Sequence, residues 1–197
     1  MIRIGILGDI GSGKSYVAKN FGYPVFNADS EVSKIYKKNK KIFNKLKKKL
    51  PRYISKFPID KNEVSVAILS NKNNLKKIIN IVHLEVRKQM KLFLKKNKNK
   101  KFVVLDIPLL LENKLNKKGD ILIFIDSKKS DVLKKLTKRK NFNNKLFKKF
   151  KKIQLPIDYK KKKANFVIKN DFTKKTINIE IKKILKQIKN ERSSSRY

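Results

Sequence analysis

The stretch GDIGSGKS, residues 8–15, completes the pattern G-x-x-x-x-G-K-[ST], and it stands between the apolar run IRIGIL at 2–7 and a helical stretch at 14–21. A strand before and a helix after are the flanks that make this pattern a phosphate-binding loop rather than a chance glycine turn. Gly8, Gly11 and Gly13 allow backbone turns that a Cβ would obstruct, so successive N–H groups can face a phosphate chain. The helix starting near Lys14 adds the positive end of its dipole. Lys14 is placed to reach β- and γ-phosphates, and the Ser15 hydroxyl to ligate Mg²⁺. The loop and the residue after it therefore nominate Gly8, Gly11, Ser12, Gly13, Lys14, Ser15 and Tyr16 as binding residues for a nucleoside triphosphate.

Outward from the loop, short apolar runs at 24–26, 102–105 (FVVL), 121–125 (ILIFI) and 166–168 read as further strands. Runs that are apolar throughout, not alternating, belong to strands buried on both faces, as in a parallel sheet covered by helices. Between them, residues 30–50, 62–93, 131–153 and 173–188 carry apolar residues at three- and four-residue spacings and read as helices with one core-facing stripe. Residues 191–197 (ERSSSRY) read as a frayed polar tail. The order of elements predicts an α/β fold with a parallel five-stranded sheet. The segment between the second and third strands is too long for a simple crossover, so it is expected to form a helical subdomain.

Composition sets the outer limits. The 197 residues favour one domain, or one core with inserts, and 40% hydrophobic content is enough for a buried core. Lys+Arg total 54 against Asp+Glu 15, a formal net charge of +39. The lysines are spread along the whole chain rather than gathered in one stripe, which reads as compositional bias with solvated faces. Non-specific polyanion binding is expected and a dedicated nucleic-acid partner is not, since no base-reading module accompanies the charge. Cysteine is absent, which excludes a disulfide scaffold and a thiolate metal site and fits a reducing, cytoplasmic compartment. No apolar run approaches the ~20 residues of a membrane helix, and the N-terminus does not read as a signal peptide.

A phosphate loop alone does not choose among nucleotide-dependent proteins. A GTPase would carry D-x-x-G after its third strand and N-K-x-D for guanine. Here Asp106 is followed by Ile107, Pro108 and Leu109, and N-K-x-D does not occur. The chain is short for a helicase core. A small-molecule kinase is favoured, with helical inserts to supply an acceptor site and a closing cover.

Three further segments, with the loop, resemble bacterial dephospho-coenzyme A kinase. FGYPVFNAD (21–29) resembles that family's second-strand signature, which ends in Asp-Ala-Asp; IPLLLE (107–112) after FVVLD resembles its P-L-L-x-E segment. Arg139, Gln154 and ANFVIKN (164–170) follow the order of its lid arginine, a glutamine and the A-D-x-V-I-x-N strand, and His83 falls where the family has His-Pro.

The resemblance implies a P-loop kinase with a nucleotide-binding core (1–30, 98–128 and 164–197), a helical acceptor subdomain (31–97) and a lid (129–163). It implies transfer of the ATP γ-phosphoryl group to the ribose 3′-hydroxyl of dephospho-CoA, with Mg²⁺. On this reading Asp29 accepts or orients the proton of the attacking hydroxyl, with Lys14 and Arg139 as its catalytic partners. The alternative for Asp29 is a carboxylate that only favours a helix N-terminus. Asp106 joins Ser15 at the metal; Asn170 borders the adenine; Asp29, His83, Pro108, Leu109 and Glu112 face the acceptor. The chain departs from the family pattern at Asp9, Asn27, Lys61, Leu84 and Asn165, with Phe172 near an expected glycine. Two alternatives stay open: a P-loop kinase acting on another nucleotide or nucleoside, and a basic nucleic-acid-binding protein with a relic loop.

Overall fold

The computed structural model describes residues 1–138 and 142–194. Its sheet has five strands, β1 (Ile2–Gly8), β2 (Val25–Asn27), β3 (Phe102–Asp106), β4 (Ile121–Asp126) and β5 (Phe166–Lys169), in the order β2-β3-β1-β4-β5. β1 pairs in parallel with β3 and β4, and β4 with β5. Each expected strand is present, within a residue or two of its expected ends. Every residue of β3 is buried, as an unbroken apolar run in the middle of such a sheet requires.

Helices α1 (Lys14–Asn20), α6 (Lys129–Thr137), α8 (Ile157–Lys163) and α9 (Lys174–Ser194) accompany the sheet. Val17, Ala18 and Phe21 at α1 pack with Ile177, Ile181, Ile184 and Ile188 of α9 and with Ile4, Ile6, Val104, Ile123, Ile125 and Ile168 of the strands. Full burial of each large aliphatic side chain contributes roughly 1.5–3 kcal/mol. At the sheet centre Gly5 leaves no room for a side chain, because a Cβ there would lie 2.6 Å from Leu110 and 2.9 Å from Leu122.

The long helical stretches divide where sequence periodicity did not show a break. Residues 30–50 form α2 (Ala28–Lys38) and α3 (Lys40–Lys49), parted at Asn39, whose side chain accepts the Ile42 N–H at 3.0 Å. Residues 62–93 form α4 (Lys61–Ser70) and α5 (Lys72–Lys96), parted at Asn71, which caps Asn73 in the same manner at 2.8 Å. Both are N-caps that satisfy an orphan helix donor. The stretch 131–153 is likewise divided, into α6 and α7 (Asn144–Ile153), and α8 was not foreseen. The polar tail expected to fray from residue 191 continues α9 as far as Ser194.

The chain forms two compact units. One comprises the described residues of Met1–Phe26, Asn99–Phe142 and Ile153–Tyr197; the other comprises Asn27–Lys98 and Asn143–Lys152. The stretch 129–163 is thus shared between them.

Candidate active site

In the first unit, the loop after β1 bends at three glycines with left-handed φ, Gly8 (148°), Gly11 (83°) and Gly13 (87°). None could carry a side chain in place. A Cβ at Gly8 would lie 2.7 Å from Ser12 Oγ, one at Gly11 2.8 Å from Leu136, and one at Gly13 2.5 Å from Asn170 Nδ2. Lys14 folds back over the loop, its Nζ donating to the Asp9 carbonyl at 2.6 Å and the Gly8 carbonyl at 3.3 Å. Asp9, which departs from the family glycine, accepts the N–H of its neighbour Ile10 on Oδ1 at 2.7 Å. Ser12 is buried, and among the described residues its Oγ has no hydrogen-bond partner. Ser15 and Tyr16, the first residues past Lys14, are exposed.

Sheet register brings other candidates to the same end of the strands. Gly5 of β1 pairs with Leu105 of β3, so Asp106, 2% exposed, ends β3 one residue further on. Gly8 pairs with Ile125 of β4, which sets Asp126 and Ser127 beside the loop. Asn170, just past β5, donates its backbone N–H to the Asp126 carbonyl at 2.7 Å and its side-chain amide to the Ser12 carbonyl at 2.8 Å. The sequence suggests Asn170 as the residue that sets backbone against adenine; its side chain is engaged with the loop backbone.

Beside the loop, a cavity of about 470 Å³ is lined by Asp131, Lys134, Lys135, Lys138, Asp171 and Phe172. Phe172 has φ 65°, the left-handed conformation that explains a glycine expectation near this position. Lys135 Nζ lies 4.6 Å from the centre of its ring. Asp171 is held below the usual carboxylate range, chiefly because it accepts the Thr173 N–H and then the Thr176 hydroxyl.

Pro108 and Leu109 lie in the turn after β3. Glu112, nominated for the acceptor, is engaged inside the same unit. Its Oε1 accepts from Lys160 Nζ at 2.7 Å and from the Leu155 N–H at 3.0 Å. Lys160 is 2% exposed and was not singled out from the lysine run in which it sits. Asn165 takes the place of an expected Asp without loss, exchanging backbone and side-chain hydrogen bonds with Leu122 at 2.8 Å each.

The second unit holds Asn27, Asp29, Lys61 and His83. Asn27 caps α2 by accepting the Ser30 N–H at 2.7 Å, so the residue that replaces the first Asp of the triplet has a local task. Asp29 is exposed in the first turn of α2. Lys61 donates to Ser33 Oγ at 2.8 Å. Arg139 lies outside the described residues.

His83, on α5, is half-buried, and burial first and the Arg87 charge second hold its pKa below the ordinary 6.5. The unfolded chain then takes up a proton near pH 6.5 that the folded chain refuses. Stability from this residue is present above that pH and is lost as pH falls below it. Urea midpoints measured between about pH 5 and 7 should fall with acidity less steeply in His83→Leu than in the parent. Parallel profiles would remove His83 from the pH response.

A family model for dephospho-CoA kinase matches residues 2–176. The dephospho-CoA kinase of Wolbachia sp. subsp. Brugia malayi (strain TRS) is 33% identical over 187 residues, covering 92% of this chain and 95% of the relative. That of Bacillus anthracis is 31% identical over 195 residues, covering 94% and 96%. Among solved structures, TT1252 from Thermus thermophilus superposes with a TM-score of 0.74 at 26% identity, covering 94% of this chain and 97% of that one. A shikimate kinase from Bacteroides thetaiotaomicron, at 11% identity and a TM-score of 0.51, shares the P-loop kinase fold alone. With a complete phosphate loop at the end of its first strand and a family match along most of its length, the chain belongs to the dephospho-CoA kinase family, the phosphotransferases of the last step of coenzyme A synthesis.

Proposed function

We propose that this chain transfers the γ-phosphoryl group of ATP to the ribose 3′-hydroxyl of dephospho-CoA, with Mg²⁺, giving CoA and ADP. The observation that carries the reading is the glycine-bent loop after β1, complete in every motif position, in a chain that matches the family from residue 2 to 176. Phosphoryl transfer asks little covalent chemistry of the protein and much positioning and charge stabilisation.

The residues present suit that task. Gly8, Gly11, Ser12 and Gly13 supply a backbone that can surround phosphate oxygens, and Lys14 exchanges its loop carbonyls for the β/γ-phosphates. Ser15 and Asp106 offer the oxygen donors that magnesium prefers, and the ion when bound neutralises phosphate charge. Tyr16 follows at the start of α1. The base of ATP takes the cavity against Phe172, with Asn170 behind it. Asp29 accepts the proton of the attacking hydroxyl, Arg139 offsets charge on the transferring group, and His83, Pro108 and Leu109 border the acceptor. The segments 31–97 and 129–163 serve as acceptor region and lid. A cytoplasmic setting belongs to the same reading, since a chain without cysteine suits a reducing compartment. Among the described residues, no helix is long and apolar enough to cross a membrane.

The test is ADP release, measured by a coupled assay, with dephospho-CoA and a panel of nucleosides and nucleoside monophosphates as acceptors. Turnover with dephospho-CoA alone is expected. Turnover with the nucleoside monophosphates instead would overturn the acceptor, and no ADP with any of them would overturn the kinase.

A further inference from the structure

Two side chains from separate strand ends converge on one carbonyl of the phosphate loop. Ser127, which follows β4, donates its hydroxyl to the Ser12 carbonyl at 3.0 Å. Asn170, which follows β5, donates its amide to the same oxygen at 2.8 Å. Asn170 is 3% exposed and is itself held: its Oδ1 accepts the Phe172 N–H at 2.8 Å, and its own N–H is tied to Asp126. Because Oδ1 must face an N–H, the amide can present only its NH₂ side to Ser12.

A planar trans peptide sets the N–H opposite the C=O. With the Ser12 carbonyl turned toward β4 and β5, the Gly13 N–H points the other way, out of the sheet end. We propose that Ser127 and Asn170 are positioning residues that hold the Ser12–Gly13 peptide with its N–H, not its carbonyl, toward the phosphates of ATP. The assignment rests on the reading of the loop as the triphosphate site. The need for a restraint follows from the sequence of the loop. Gly13 at φ 87° tolerates both signs of φ, so rotation of this peptide meets little steric resistance. A rotated peptide would aim a carbonyl oxygen at an anion and withdraw a donor, a double penalty on phosphate binding. Neither residue belongs to the proposed acceptor region, so its effect should fall on ATP alone.

The experiment measures KM for ATP and for dephospho-CoA, and ADP affinity by calorimetry, in Ser127→Ala, Asn170→Leu, the double variant, Ser127→Thr and Lys14→Ala. Each single loss should raise KM for ATP by about 3- to 10-fold, the worth of one hydrogen bond. The double variant should exceed the product of the singles, because either donor alone still restrains the carbonyl. KM for dephospho-CoA should not move, and Ser127→Thr, which keeps the hydroxyl, should retain ATP affinity. If Asn170→Leu fails to fold, the half-buried Ser127 decides the matter through Ala against Thr. Unchanged ATP affinity in Ser127→Ala and Asn170→Leu, or equal rises in both KM values, would overturn the positioning role while Lys14→Ala still loses ATP. Retained ATP affinity in Lys14→Ala would instead overturn the site itself.

Discussion

Asp29→Asn should lower kcat with dephospho-CoA by about 10²- to 10⁴-fold, the usual contribution of a positioned base, while the urea midpoint stays close to that of the parent. The two halves of this expectation separate the two roles open to the residue. Asp29 is exposed in the first turn of α2, where a carboxylate also favours the helix N-terminus. That end of α2 is already capped by Asn27, which accepts the Ser30 N–H at 2.7 Å. Hence the helix does not depend on Asp29 for its first hydrogen bond. Asparagine keeps the shape and removes only the negative charge and the basicity. A fall in kcat without a fall in stability identifies the base. A fall in stability with kcat intact identifies a helix-end charge, and it would take Asp29 out of the mechanism.

What could be read in the sequence was set by local physics. Apolar runs announced β1, β3 and β4 because a strand buried on both faces has no polar face to alternate with. By contrast, β5 at the sheet edge leaves Val167 and Lys169 exposed and showed only as a shorter run. The loop was legible because its three glycines serve conformations that other residues resist, and their φ values of 148°, 83° and 87° bear this out. The helix breaks at Asn39 and Asn71 escaped notice for a different reason. Asparagine before a helical stretch is an N-cap signal, but in a chain so rich in lysine and asparagine the signal has little contrast. Ser127 and Lys160 were beyond reach altogether. Ser127 acts on Ser12 and Lys160 on Glu112, contacts that exist only once the strands are side by side. Phe172 lies between these cases: a departure near an expected glycine was visible, and its φ of 65° supplies the reason.

Glu112→Ala should destabilise the fold by about 3–5 kcal/mol, the cost of leaving a buried charge without its partner. Lys160 has 3% of its side chain exposed and Glu112 11%, so water does little to screen the 2.7 Å pair. The loss strikes twice, since the same carboxylate oxygen accepts the Leu155 N–H at 3.0 Å. It ties the turn after β3 to the chain just before α8, both within the first unit. Removing the charge on both sides should therefore cost less than removing it on one. Glu112→Ala with Lys160→Met should regain much of the lost urea midpoint, a result that a simple cavity at Glu112 would not give. The same variants bear on the acceptor role that the sequence suggested for Glu112. If Glu112 only anchors Lys160, the surviving folded enzyme of the double variant keeps its KM for dephospho-CoA. A raised KM in that variant, with stability regained, would mean that the carboxylate meets the acceptor as well as the lysine. A midpoint unmoved by Glu112→Ala would show that the buried pair contributes nothing to the fold.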